Sequence, residues 1–305
     1  MNRLTVAFVG SGGAARGIAH LGVLRACEEL GIAPQIFVGA SAGAIVASTY
    51  GQGVPLDALV DGYRPVWKRK HNGPRFHVST FLGAPRLAHL LEPGYLASGL
   101  FSIDKLERYL RSVLPNNDFR RLTQRVFVTA VDVDSGERVV FGPGSEDRTP
   151  ISQAVAASCC VPGLFRPYRI GQRHYLDGEV VRTLSADLAV SAGANVVIIS
   201  KIYRPEQNDD SARSIATRGA IPVLRQSLNI LLTQKERRGV ELLSKTYPHV
   251  KFIDIAPDIG HLSYLNHLAA RTLLARGYRA GLRTLTAAKE SGVFDVGFGV
   301  QSVVN

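Results

Sequence analysis

Cysteine is nearly absent from this 305-residue chain, which carries only Cys27, Cys159 and Cys160. Two of these are adjacent, and neighbours rarely bridge each other, while three cysteines give no metal-ligand spacing. The usage fits a reducing compartment. Long apolar runs are missing as well: none reaches the roughly 18 residues of a membrane-spanning helix. The apolar run Leu4 to Val9 is too short for a secretory h-region and leads into glycines instead of a cleavage site. Repeats and low-complexity segments are absent. Acidic residues are scarce, 25 against 36 Lys and Arg, giving a net charge of +11 and a pI near 9.8. Such a balance suits nucleic acid, an anionic membrane surface or acidic substrates. The excess is spread along the chain, which argues against a nucleic-acid arm and leaves the membrane surface open. A cytoplasmic location with room for peripheral membrane contact is the expectation.

What is present is the composition of a globular protein, 46% hydrophobic and 20% charged, ample for a sizeable core. Leu4 to Val9 reads as a buried strand ended by Gly10, and Ala14 to Leu30 as a helix closed by Gly31. Gln35 to Val38 reads as a second strand and Ser41 to Tyr50 as a helix of small residues. This alternation predicts an α/β fold with a mostly parallel central sheet. Residues 61–100 mix Pro, Gly, His and aromatics with Arg64, Lys68, Arg69, Lys70 and Arg75, and read as a loop-rich basic cap. Ser102 to Leu114 reads as a helix. Arg125 to Asp132 and Glu137 to Phe141 read as strands joined by the turn Asp134-Ser135-Gly136. Residues 150–160 read as a further helix, Val196 to Ile202 as a strand, and Arg204 to Arg213 as a loop. Leu224 to Ser244 and Leu265 to Lys289 carry amphipathic helical patterns. One domain over 1–305, with the cap at about 61–100, is the simplest organisation.

Gly39-Ala40-Ser41-Ala42-Gly43 lies between a strand and a helix, the context that a G-x-S-x-G nucleophile elbow requires. A serine on so sharp a turn needs neighbours without bulk, and the following helix points its N-terminal N–H groups at any anion formed there. A tight turn with a helix-capping serine is the competing reading. The loop Gly10-Ser11-Gly12-Gly13-Ala14-Ala15-Arg16-Gly17 has three. A phosphate-binding P-loop fails for want of Gly-Lys-Ser/Thr. A dinucleotide loop lacks the acidic residue expected about 20 residues on. An oxyanion hole from the N–H groups of Gly12, Gly13 and Ala14, braced by Arg16, fits, and losing one such donor typically costs about 3–4 kcal/mol. A loop that only joins strand to helix fits as well. For a base, His261 and His267 lie late enough in the chain, but in or near helical pattern. Asp177, before Gly178 at the end of a short strand, could take a proton directly from a serine, although Asp-Gly is also an ordinary turn.

Together these segments resemble the patatin-like phospholipase family, in particular its bacterial members. The resemblance rests on Gly12 to Gly17, on Gly39 to Gly43, and on Asp177-Gly178. Ile18 to Leu24, Ala157 to Phe165, Thr129 to Phe141 and Leu274 to Ala280 add to it, so it runs from residue 4 to about 282. It implies an α/β/α three-layer sandwich. It also implies hydrolysis of an acyl ester (of a phospholipid, a lysophospholipid or a simpler ester) by a Ser41–Asp177 dyad without histidine. Gly12, Gly13 and Ala14 would hold the oxyanion, with Arg16, Gly39, Gly43 and Gly178 in support. No cofactor, metal or nucleic acid is implied. Three departures from the family pattern stand out. Ala14 replaces a glycine, Glu179 replaces a small residue and adds a second carboxylate beside Asp177, and Arg182-Thr183 and Ser185 replace Asn-Pro and Pro. Glu179 keeps open a lipid-binding or regulatory protein of this fold with weakened turnover; a transacylase and a nucleotide-binding protein are further alternatives.

Overall fold

A computed structural model describes residues 4–63, 70, 74, 78–84, 93–181, 184–202, 214–259 and 269–295. Their strands are β1 (Val6–Gly10), β2 (Ile36–Gly39), β3 (Gly99–Phe101), β4 (Arg125–Asp132) and β5 (Arg138–Phe141), followed by β6 (Gly163–Phe165), β7 (Tyr168–Ile170), β8 (Arg173–Asp177), β9 (Val196–Ser200) and β10 (Lys251–Ile255). The helices are α1 (Ile18–Glu29), α2 (Ala42–Tyr50), α3 (Leu56–Asp61), α4 (Val78–Phe81) and α5 (Pro93–Ala97), then α6 (Asp104–Val113), α7 (Ile151–Ser158), α8 (Ala186–Ser191), α9 (Ala220–Thr246) and α10 (Ala270–Glu290).

The main sheet runs in the order β10-β9-β1-β2-β4-β8-β7, with β5 also paired to β4. From β10 to β4 the neighbours are parallel. β5, β8 and β7 are added antiparallel. β3 and β6 form a separate parallel pair. Because successive side chains of a strand point to opposite faces, β1 divides its residues between two cores. Val6 and Phe8 join the larger core, which also takes residues from α1, α2, α6, α7 and α10. Ala7 and Val9 join the smaller one, with Ala186 and Ala189 of α8 and Leu243 of α9. Helices thus cover both faces, and every residue of β1, β2 and β9 is buried, as interior parallel strands require.

The α/β reading and its parallel sheet hold, and most elements fall where the pattern put them. Two differ at their edges for local reasons. The segment from Ala14 begins as a 3-10 turn, Ala14–Gly17, before α1 starts at Ile18, since Gly13 and Ala14 take positive φ of 146° and 49°. α9 starts at Ala220, four residues before the apolar pattern. β10 carried too weak an alternation to be read: only Ile253 and Ile255 are buried, and Lys251 and Asp254 are exposed. The cluster Arg64, Lys68, Arg69 and Arg75, the loop Arg204 to Arg213, Arg182, Thr183, His261 and His267 lie outside the described residues.

The most extensive helix pairing joins α1 to α10, and it depends on glycine. A methyl group on Gly277 would lie 2.0 Å from the Ala19 carbonyl oxygen, and one on Gly22 2.2 Å from that of Leu274. Both contacts are with backbone, which cannot swing aside. Gly277→Ala is therefore expected to lower stability by about 1–3 kcal/mol or more, the usual cost of overfilling a close contact. Gly239→Ala is the control, because nothing lies near that position in α9 and alanine stabilises a helix interior by about 0.5–1 kcal/mol over glycine. Thermal melts of the two variants should move in opposite directions.

Candidate active site

The parallel strands end together, and their carboxyl ends carry both the glycine loop and the serine turn. β1 leads into Ser11 to Gly17 and β2 into Ala40 and Ser41. Gly10 and Gly39 are register partners, so the two turns start side by side. α2 comes down directly on them. A side chain on Gly43 would meet the Gly10 carbonyl oxygen at 2.1 Å, and one on Gly39 the Gly43 oxygen at 2.3 Å. The Gly43 N–H donates to the Ser11 carbonyl at 3.2 Å, tying the turn to the loop. Ser41 is held at φ 51°, ψ −120°, a backbone state in which non-glycine residues are strained. Its own N–H donates to Ser158 Oγ at 2.8 Å.

Asp177 reaches the same height by another route. Gly39 pairs with Val128 of β4 and Ala130 pairs with Asp177. Ser41 lies two residues beyond Gly39, and Asp177 stands opposite the residue two beyond Val128. Both residues are buried. Gly178 lets the chain turn against β4, where a side chain would strike the Thr129 carbonyl at 2.3 Å. Burial pushes the Asp177 carboxyl up to about 6, against the N–H of Glu179 and the nearby Ser41 hydroxyl, which favour the charged form. That N–H donates to Asp177 Oδ1 at 3.1 Å; Oδ2 closes no hydrogen bond of ordinary geometry, an arrangement common before substrate binds.

The glycine loop is fastened from below. The His20 ring is fully buried, and burial drives it down to about 4, so it is neutral. Its Nε2 lies 2.8 Å from the Ser11 carbonyl and must donate there, leaving Nδ1 to accept from Ser200 Oγ at 2.7 Å. The Ile202 N–H donates to Ser11 Oγ at 3.0 Å. Gly13 lies so close to Ile202 that an added methyl would sit 2.6 Å from its Cδ1. Arg16 is buried at the end of the loop.

One expectation for this loop is not met. The Gly12 N–H donates to Glu179 Oε1 at 2.7 Å instead of standing open. Glu179 therefore holds the loop through its side chain and Asp177 through its backbone. Its carboxyl is pushed well above the usual range by burial first, then by Glu236 and Asp177. Glu236, in the middle of α9, is pushed up to about 8, again chiefly by burial. The Cys159 thiol lies beside Ser41 and is raised by burial and by the Asp177 charge. Nothing in the spacing of Glu236 or Cys159 marks them as neighbours of the site; α9 and α7 bring them there through tertiary packing. Among the described residues no histidine is hydrogen-bonded to Ser41, and no three His, Cys, Asp or Glu side chains are grouped to hold a metal.

The architecture is that of an α/β protein which presents a serine on a strand-to-helix turn at the carboxyl edge of its sheet. A model of the patatin-like phospholipase family matches residues 8–190, and the chain belongs to that family. It is 25% identical over 297 residues to an uncharacterized NTE family protein of Mycobacterium tuberculosis, covering 93% of this chain and 47% of the relative. It is 26% identical over 211 residues to the mouse patatin-like phospholipase domain-containing protein 6, covering 67% of this chain and 14% of that protein. The chain thus spans about half the length of the mycobacterial relative. Human GIVD cytosolic phospholipase A2 shares the fold, with a TM-score of 0.52 at 11% identity, over 95% of this chain and 59% of that one.

Glu236 yields a stability prediction. Its carboxyl binds a proton more tightly folded, at about 8, than unfolded, near about 4.3. The folded state holds the extra proton between those values, so stability falls as pH rises through that window. Glu236→Gln removes this loss. Relative to the unsubstituted protein it should leave the melting temperature unchanged near pH 4.5 and raise it above pH 8, where the gain in stability is on the order of a few kcal/mol. Melting curves across that range test it.

Proposed function

We propose that the chain hydrolyses acyl esters of lipids, with Ser41 as nucleophile and Asp177 as its base. The observation that carries this reading is the shared height of the two residues at the sheet edge, one on a strained turn and the other a buried carboxyl raised to about 6. Asp177 takes the Ser41 proton as Oγ attacks the ester carbonyl. The tetrahedral oxyanion is held by the N–H groups of Gly13 and Ala14 and by the first turn of α2, whose positive dipole end faces it. Collapse expels the alcohol, which regains the proton from Asp177. Water, activated by the same carboxylate, then releases the fatty acid. Family membership supports a lipid ester as substrate, and the named relatives include phospholipases. An alcohol in place of water would make the same site a transacylase.

Hydrolysis of p-nitrophenyl esters of several chain lengths tests the reading. Ser41→Ala and Asp177→Asn should each lower kcat/KM by about 10³-fold or more with the fold unchanged, the scale found when a nucleophile or its base is removed. The base must be ionised, and below its value of about 6 the ionised fraction falls with pH. The rate should therefore drop about tenfold per pH unit on the acid side of 6. Activity that survives Ser41→Ala, or a flat acid limb, defeats the assignment.

A second reading rests on the Gly12–Glu179 hydrogen bond. A carboxyl that occupies a donor of the oxyanion loop suits a protein of weakened turnover that binds lipid without rapid cleavage. Replacing Glu179 with the small residue usual in the family separates the two. If Glu179 withholds the Gly12 N–H, Glu179→Gly should raise kcat by about 10²-fold, the scale of one oxyanion donor. If the dyad already works at full capacity, the same change should lower kcat by freeing the glycine loop that the Glu179 side chain holds.

A further inference from the structure

α9 is longer than the sheet it lies on. It has 27 residues, β10 has five, and four residues separate Thr246 from Lys251, so helix and strand run antiparallel. The C-terminal part of α9 lies on the sheet, with Leu243 buried beside Val197 and Ile199. Its middle reaches the level of the active site: Lys235 Nζ donates to the Val180 carbonyl at 2.8 Å, three residues past Asp177. The helix continues for 15 residues from Lys235 back to Ala220, a span of about 22 Å at 1.5 Å per residue. That length extends past the carboxyl edge of the strands, on the side where Ser41 sits.

The chemistry of its outward face changes at the same level. Asn229, Glu236 and Leu243 recur every seven residues on the buried side. On the opposite side Leu224, Leu228 and Leu231 follow one another at helical spacing and are 62%, 50% and 59% exposed, with Val223 and Ile230 exposed beside them. From Gln234 onward the same face is mixed, carrying Lys235, Arg238 and Lys245 with the exposed Leu242 among them. A solvent-facing helix surface is ordinarily polar, and five large apolar residues exposed within nine positions form a contiguous patch, which on soluble proteins marks an interaction surface. Between residues 214 and 240 the sequence has five cations (Arg218, Arg225, Lys235, Arg237 and Arg238) and a single acid, the buried Glu236. An apolar strip bordered by basic residues complements an interface of acyl chains under anionic headgroups.

We propose that the projecting half of α9 is the surface by which the protein docks on an anionic phospholipid bilayer, with Leu224, Leu228 and Leu231 entering the acyl boundary and Arg237 and Arg238 meeting headgroups. The use of this docking to deliver substrate rests on the hydrolase reading; the docking itself does not. It orients the carboxyl edge of the sheet, and hence the mouth of the site, toward the lipid.

The experiment is co-sedimentation of the whole chain with vesicles of phosphatidylcholine alone and of phosphatidylcholine with phosphatidylglycerol, alongside hydrolysis of soluble p-nitrophenyl butyrate. Wild type should sediment with the anionic vesicles and not with the neutral ones. L224Q/L228Q/L231Q, which keeps good helix formers at exposed positions, should reduce binding at least tenfold, and R237E/R238E should weaken it most at low salt, the difference from wild type shrinking as salt rises. The melting temperature should be unchanged in both. If wild type cleaves butyrate, the leucine variant should do so equally while losing hydrolysis of vesicle lipid. Vesicle binding without any esterase activity would sink the hydrolase reading and leave the docking surface standing. Wild type that ignores anionic vesicles, a leucine variant that binds like wild type, or leucine substitutions that only convert a dimer to a monomer would each overturn the proposal.

Discussion

The active-site region depends on one steric constraint: the first turn of α2 must touch the ends of β1 and β2 with no side chain between them. Gly10, Gly39 and Gly43 meet there backbone to backbone, and the hydrogen bond from Gly43 to Ser11 exists only because of that approach. The strain in Ser41 is a consequence. A chain that leaves β2 and enters a helix within two residues cannot do so in relaxed geometry, and the φ of 51° is the form the turn takes. The stabilisation that offsets the strain comes from around it, through Ser158 on the serine N–H and the buried apolar face of α2. The same contact fixes the glycine loop relative to the serine, so the proposed nucleophile and oxyanion donors are set by one packing event.

His20 belongs to this constraint and not to the chemistry. Buried neutral, with one nitrogen donating to Ser11 and the other accepting from Ser200, it closes the gap between β1 and β9 beneath the loop. A charged imidazole there would only reverse the Ser200 bond, its Nδ1–H donating to the hydroxyl, so what disfavours the charge is its complete burial. The downward shift of its proton affinity and its fixed tautomer are therefore two expressions of the same burial.

Much of this was legible in the sequence because it is local. Gly39 to Gly43 fixes a turn whose shape depends on residues within five positions, and the apolar runs of β1, β2 and β9 are unbroken because both faces are covered. The aspartate was legible as a strand end followed by glycine, but its nearness to Ser41 was not, since that distance is decided by the antiparallel register of β8 on β4. Glu179 was visible as a second carboxylate beside Asp177, whereas its hold on Gly12 is a contact across 167 residues that no spacing announces. β10 escaped because an edge strand buries only one side. Glu236 escaped for the opposite reason, because a charged residue on an amphipathic helix ordinarily faces water.

Three buried carboxyl groups, Asp177, Glu179 and Glu236, stand near one another behind the glycine loop. Each is raised chiefly by burial, and the charges of Asp177 and Glu236 both bear on Glu179. What separates them is the set of groups around each. Asp177 accepts the Glu179 N–H at its carboxylate and has the Ser41 hydroxyl beside it, and it rises only to about 6. Glu236 has the Lys201 charge in its favour and the Asp254 charge against it, and rises to about 8. Glu179 has the Gly12 N–H and the Lys235 charge in its favour but faces both other carboxyls, and it is held well above the usual range. Of the three, Asp177 is therefore the least displaced from the ordinary carboxylate range. That ordering suits Asp177, in the proposed dyad, to receive the Ser41 proton. The upward displacement of Glu179 also favours its uncharged form beside the Gly12 N–H that it occupies.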